Sequence, residues 1–213
     1  MKAHKLVVAT RKWREMKGQR DFSFAELADS YDTNLVSKLT KRFYKLLVRQ
    51  VRLADGMSVL DVGCGTGTSL KQFSEISNIN GYGIDIEENM ILVAKAKCPD
   101  MDFAVSDCTE TSFADGQFDV IVSCLAYHHF ADKEGFAKEA ARILKPQGAL
   151  YIVDPRLPWA IRKPMNTALK IHRIKGAFST PLETVEAFQE YGFSFVGQSQ
   201  DFYAQCVSMQ KAG

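Results

Sequence analysis

No stretch of this sequence approaches the run of about 18 apolar residues that a membrane-spanning helix requires. The longest apolar run near the N-terminus, Leu6 to Ala9, is too short for the core of a signal peptide. A cytoplasmic location is therefore expected by elimination. Cys-x-x-Cys pairs are missing too. The five cysteines, Cys64, Cys98, Cys108, Cys124 and Cys206, are odd in number, and neither their spacing nor any His pair completes a zinc set. They read as small buried residues or free thiols, with no metal site. There is no internal repeat and no low-complexity block. With 27 basic and 25 acidic residues, the chain lacks the strong single-sign charge of a polyanion binder. At 213 residues it fits one domain with an appendage, and needs no disulfide or metal to complete its core.

Charge is uneven along the chain. Residues 1–52 hold 13 basic and 5 acidic residues, and the remainder holds 14 and 20. The segment 156–178 carries Arg156, Arg162, Lys163, Lys170, Arg173 and Lys175 without one acidic residue. Two solvated helical faces are the plain reading; a rim that draws an anionic substrate or nucleic acid is the sharper one.

Residues 1–20 read as a basic tail. From Thr33, Leu35, Val36, Leu39, Phe43, Leu46, Leu47 and Val51 recur at helical spacing. Strands are then expected at Ser58–Val62, Tyr82–Ile86, Met101–Val105, Phe118–Ser123 and Ala149–Val153. Helices are expected over Thr66–Ile76, Glu88–Lys97 and Lys133–Leu144, the last punctuated by Lys145-Pro146-Gln147-Gly148. This alternation predicts a parallel sheet with helices on both faces. In 156–178, Pro158 and Pro164 are expected to break the helical stretches. Thr180-Pro181-Leu182-Glu183 has the form of a capped helix start, and the helix should run to Tyr191. Phe193–Gln200 and Phe202–Met209 suit a closing antiparallel pair.

The chemistry centres on Val59-Leu60-Asp61-Val62-Gly63-Cys64-Gly65-Thr66-Gly67, a strand that runs through an acid into three alternate glycines and a helix. Glycine permits the turn and lets a ligand approach the backbone, at the strand ends where open α/β sheets bind ligands. The dinucleotide fingerprint would need Gly at position 68, where Thr68 stands. Asp61 is a poor neighbour for a pyrophosphate and a good one for an ammonium group. Asp85 and Asp107 follow the next two strands, where they would accept from ribose hydroxyls and from an exocyclic adenine amine. Three carboxylates at successive strand ends fit a cationic adenosyl ligand.

These stretches, with GYGIDIEENMI (81–91), FAVSDCTETSFADGQFDVIVSCLAYHHF (103–130) and ARILKPQGALYIVDP (141–155), resemble the class I S-adenosylmethionine-dependent methyltransferases, the small-molecule group in particular. The resemblance implies a Rossmann-like doubly wound sheet of seven strands, mostly parallel with an antiparallel C-terminal strand, plus N-terminal helices. It implies S-adenosyl-L-methionine as methyl donor and S-adenosyl-L-homocysteine as product. Asp61, Gly63 and Gly65 match the loop around the methionine part. Asp85 matches the ribose acid, with Ile86 and Met90 beside the adenine, and Asp107 and Cys108 match the adenine-contacting pair. Ser123 to Tyr127, Leu125 included, would line the sulfonium and the acceptor side, with Tyr31 as a lid. Gln147 stands where the family commonly has a second Gly.

Each position also has a plain structural role open to it. Asp61 would orient the glycine turn, Asp85 cap a helix, Asp107 bond its own turn, and Met90 fill the core. Asp119, away from the ligand end, reads as structural. His128 and His129 are candidate general bases, or strand-end packing. Residues 1–53 are taken as tail and helical cap and 54–213 as the methyltransferase domain, with 156–178 as a substrate-covering insertion. The expected partner is a small, anionic acceptor, with no nucleic acid and no membrane, on a monomer or homodimer. An RNA methyltransferase and a non-catalytic S-adenosylmethionine-binding regulator are the alternatives. A nicotinamide dehydrogenase is more remote.

Overall fold

A computed structural model describes residues 35–213. Tyr31, the basic tail and the first residues of the N-terminal helical pattern lie outside the described residues. In chain order the elements are α1 (Leu35–Gln50), β1 (Ser58–Val62), α2 (Thr68–Ser74), β2 (Asn80–Asp85), α3 (Glu88–Lys97), β3 (Asp102–Val105) and β4 (Phe118–Cys124). A 3₁₀ turn at Tyr127–His129 leads to α4 (Lys133–Ile143), β5 (Leu144–Pro155), α5 (Trp159–Ile171), α6 (Pro181–Gln189), β6 (Phe193–Asp201) and β7 (Ala204–Lys211).

The seven strands form one sheet in the order β3-β2-β1-β4-β5-β7-β6. β1 pairs in parallel with β2 and β4, and β4 in parallel with β5, while β7 runs antiparallel to both β5 and β6. This is the doubly wound, mostly parallel sheet expected from the alternation. Period-2 side chains divide its interior into two. Val59, Val120, Val122, Tyr151 and Val153 face α1, α2 and α3 through Phe43, Leu47, Leu70, Phe73 and Ile91. Leu60, Val62, Ile121, Leu150 and Ile152 face α4 and α6 through Phe136, Ala140, Ile143, Val185 and Phe188. Strand numbering jumps between β1 and β4, so their C-terminal loops part there and leave the crevice where this kind of sheet binds ligands. At the opposite end Asp119 accepts from the Ser58 backbone (2.9 Å) and from Lys145 Nζ (2.7 Å), tying the starts of β1, β4 and β5 together.

Three local expectations are corrected. The helix expected over Thr66–Ile76 is confined to Thr68–Ser74, because the glycine turn consumes its first residues. Lys145–Gly148 does not separate helix from strand. Leu144 already pairs with Phe118, and the next residues bulge out before Ala149 pairs with Val120. Gln147 takes a left-handed φ of 62° in that bulge. Pro158 stands at the N-cap of α5, outside the helix, but Pro164 lies inside a continuous α5. The lost bond falls in the early turns of a surface helix, where water reaches the exposed Ala160. The expected capping box at Thr180 is present: its Oγ1 accepts from Glu183 N (3.2 Å), and Glu183 Oε2 accepts from Thr180 N (2.8 Å).

Candidate active site

Two glycines shape the floor of the crevice beyond β1. The Gly63 and Cys64 N–H groups both donate to the Ile84 carbonyl (2.8 and 3.0 Å), which bends the chain leaving β1 across the end of β2. Gly63 has a φ of 73°, and a Cβ there would be driven into the side chain of Ala126, in the loop after β4. The loops on either side of the crevice thus touch at that point. Gly65, at a φ of 51°, would carry its Cβ into open space. That space is backbone surface left bare.

Two carboxylates frame this floor. Asp61 is 1% exposed, and its Oδ1 has no hydrogen-bond partner. Desolvation, with a further push from Asp85 and against a bond from Ser69, raises its pKa from 3.8 to about 7. Asp85 accepts from Gly65 N through Oδ2 (2.9 Å) and from Glu87 N through Oδ1 (3.0 Å), clamping the glycine turn to the start of α3. On β4 Ser123 is fully buried with an unpartnered hydroxyl, and beyond the strand Leu125 holds a left-handed φ of 60°. Unpaired buried oxygens are costly unless something arrives to use them. Of the two, the Asp61 carboxyl is the acceptor that suits a ligand bearing an ammonium or sulfonium charge, while the Ser123 hydroxyl, one residue out of phase along the paired strands, lies on the α4 and α6 face of the sheet.

The remaining sequence candidates divide. Ile86 is 69% exposed at the rim, whereas Met90 is buried. Asp107 turns its Oδ1 onto Thr109, accepting from N (2.8 Å) and Oγ1 (2.7 Å), and these bonds lower its pKa. Cys108 is half-buried against the α4 side of the core, and burial pushes its thiol up to about 12. All five cysteines are free thiols. Among the described residues no group of His, Cys, Asp and Glu could hold a metal ion.

On the β4–β5 side the structure adds residues that sequence reasoning passed over. His128 Nδ1 lies 2.7 Å from Asp154 Oδ1, at the end of β5. Asp154 is 4% exposed; burial raises its pKa against the opposing pull of His128 and Lys133. In the tautomer that carries its proton on Nδ1, the ring donates to that carboxylate and leaves Nε2 as an acceptor. The pKa of His129, 4.0 Å from His128 between ring centroids, is pushed down to about 4 by desolvation and by its neighbour, so it is neutral at pH 7. Phe178 stacks on His128 (4.9 Å, 13°), and a Cβ at Gly176 would be driven into the His128 carbonyl oxygen. Residues 172–180 therefore lie over the His128 turn. Lys133 holds them there by donating to Ala177 O and Ser179 Oγ, and its Nζ stands 4.5 Å from the centre of the buried Tyr127 ring. Asn166 adds a two-way bond to the Phe178 backbone. One signal for Asp154 was available: it ends the strand beside β4 in a parallel sheet, hence on the same rim as Ser123.

Residues 60–152 match the model of a methyltransferase domain family. The chain is 32% identical over 134 residues to a demethylmenaquinone methyltransferase of Renibacterium salmoninarum, covering 62% of this chain and 56% of that protein. It is 36% identical over 131 residues to phosphoethanolamine N-methyltransferase 1 of Zea mays, covering 59% and 25%. The chain thus spans about half or less of these curated relatives. A chain in the complex between the Haloferax volcanii Trm112 methyltransferase activator and a methyltransferase superposes with a TM-score of 0.78 at 20% identity, covering 92% of this chain and all of that one.

Proposed function

We propose that residues 60–152, which match a methyltransferase domain family, act as a class I S-adenosylmethionine-dependent methyltransferase domain, binding S-adenosylmethionine at the β1–β4 crevice and methylating a small molecule. The observation that carries the reading is the buried, unpartnered Asp61 Oδ1 beside the open backbone of Gly65. Asp61 would face the charged amino acid end of the donor, and Asp85 the ribose, with the backbone after Ser123 lining the sulfonium side. Ile86 would cover one face of the adenine, with Asp107 and Cys108 at its edge. When bound, S-adenosylmethionine supplies a methyl carbon already activated by positive sulfur.

The chain's own task is to hold an acceptor in line with that carbon, exclude water, and take a proton where the acceptor must lose one. His128 is placed for the proton: Asp154 fixes its ring, and residues 172–180 cover it. The relatives act on chemically different acceptors, a demethylmenaquinone and phosphoethanolamine, so a small-molecule acceptor is the level at which they agree. An anionic acceptor is favoured by the segment 156–178, with its basic residues and no acid. Arg162 is already engaged by Glu183 (2.8 Å) and the Phe178 carbonyl, which leaves Lys163 and Lys170, beside a cavity of about 330 Å³, as the cations to meet it.

Calorimetry with S-adenosylmethionine and S-adenosylhomocysteine tests the binding step, and release of S-adenosylhomocysteine with quinol or phosphoethanolamine acceptors tests turnover. Absence of heat with either nucleoside on folded, ligand-free protein overturns the reading.

A further inference from the structure

α5 is an amphipathic helix turned inside out. Ile161, Pro164, Met165, Ala168 and Ile171 recur at spacings of three and four on one side. Yet no residue of α5 is buried, and Ile161 and Ile171 are 49% and 70% exposed. The side that meets the body carries Arg162 and Asn166 with a single half-buried apolar residue, Leu169. Arg162 pairs with Glu183, and Asn166 bonds to the Phe178 backbone. A surface helix ordinarily buries its apolar stripe and shows its polar face; here the stripe looks outward.

We propose that this outward face, with the turn that follows it, docks onto an anionic lipid bilayer. Charge selects the occupant. Arg156, Lys163, Lys170, Arg173 and Lys175 are exposed around the stripe, and residues 156–178 contain no acid to oppose them. A second copy meeting this face by two-fold symmetry would set like charges against like, whereas acidic headgroups would neutralise them and the stripe would enter the acyl boundary. Trp159 and Ile174 extend the apolar area at the two ends. The helix is too short and too charged to span; it would lie in the interface plane. This departs from the sequence-based expectation of no membrane partner, which concerned spanning helices. The surface continues into the segment that carries Phe178 onto His128, so docking would set the candidate acceptor entrance against the lipid. The surface does not depend on the proposed methyl transfer, and its test measures binding alone.

The experiment is flotation of the full chain with unilamellar vesicles of pure phosphatidylcholine and of phosphatidylcholine with one third phosphatidylserine. At least tenfold stronger partition is expected on the anionic vesicles, weakening as salt rises. Ile161→Ser with Ile171→Ser, and separately Lys163→Glu with Lys170→Glu, should each lower it on the order of tenfold. Thermal unfolding is expected to stay unchanged, since all four side chains are exposed. Equal partition on both vesicle types, no partition at all, or partition indifferent to both pairs overturns the proposal. So does sedimentation showing a dimer of the parent chain that the Ser pair dissolves.

Discussion

Replacing Asp61 by Asn separates what this residue does for the fold from what it does for a ligand. Its carboxyl holds a proton more tightly in the folded chain than in the unfolded one, with a pKa of about 7 against 3.8. Such a group stabilises the fold at low pH, and that contribution is lost as pH rises through this window. At 1.36 kcal/mol per pH unit the loss is up to about 4 kcal/mol. Asn cannot ionise. The gap in unfolding free energy between Asp61→Asn and its parent should therefore widen in the variant's favour by up to about 4 kcal/mol from pH 4 to pH 8. For a chain of this size that is on the order of 10 °C in melting temperature. Any constant cost of fitting the amide shifts both ends equally and cancels from the comparison. Thermal unfolding of ligand-free protein at a series of pH values reads the gap. Calorimetry at pH 8 should show S-adenosylmethionine affinity reduced about 30-fold or more, the scale of losing one partner of a buried charge pair. Stability curves that stay parallel across the pH range refute the buried-charge reasoning. Undiminished affinity refutes the recognition role.

Gly63→Ala and Gly65→Ala should part company. The first drives a methyl group into Ala126 and should cost at least about 2 kcal/mol of stability, while the second meets empty space, costs about 1 kcal/mol for its left-handed backbone, and chiefly weakens nucleoside binding. Melting curves beside calorimetry distinguish them. His128→Gln should lower acceptor-dependent turnover about 100-fold or more with S-adenosylhomocysteine affinity retained, and Asp154→Asn should act in the same direction; equal turnover in both variants removes the base from the mechanism. Thr180→Ala deletes a capping box and should lower stability by about 1 kcal/mol, read from a denaturant midpoint with unchanged slope.

The fold was legible where an element announces both its nature and its ends. Phe118–Cys124 is a β-rich apolar run, and Thr180 carries its cap, its proline and its reciprocating Glu183 within four residues. Legibility failed where tertiary pairing decides. Leu144 ends a helical pattern, yet Phe118 claims it for the sheet, and only the bulge at 145–148 reconciles the two. Pro164 reads as a breaker, yet solvent tolerates it in α5. In the site, Asp61 and Asp85 could be found because each ends a recognisable strand. The pairing of His128 with Asp154 spans 26 residues and exists because β4 lies beside β5, a neighbour relation no local pattern contains. The outward stripe of α5 was hidden for a related reason: periodicity shows that a helix has two faces, and only its neighbours show which one is left bare.

The contact between Gly176 and the backbone of His128 bears on anyone who would re-engineer this scaffold. Swapping residues 172–180 for a foreign loop looks like a way to change acceptor scope while sparing the core. But the loop's underside is moulded to the histidine turn at a point where no methyl group fits. A transplant with any other residue at 176 would shift the imidazole along with the loop, so diversity libraries should keep that glycine and vary its flanks.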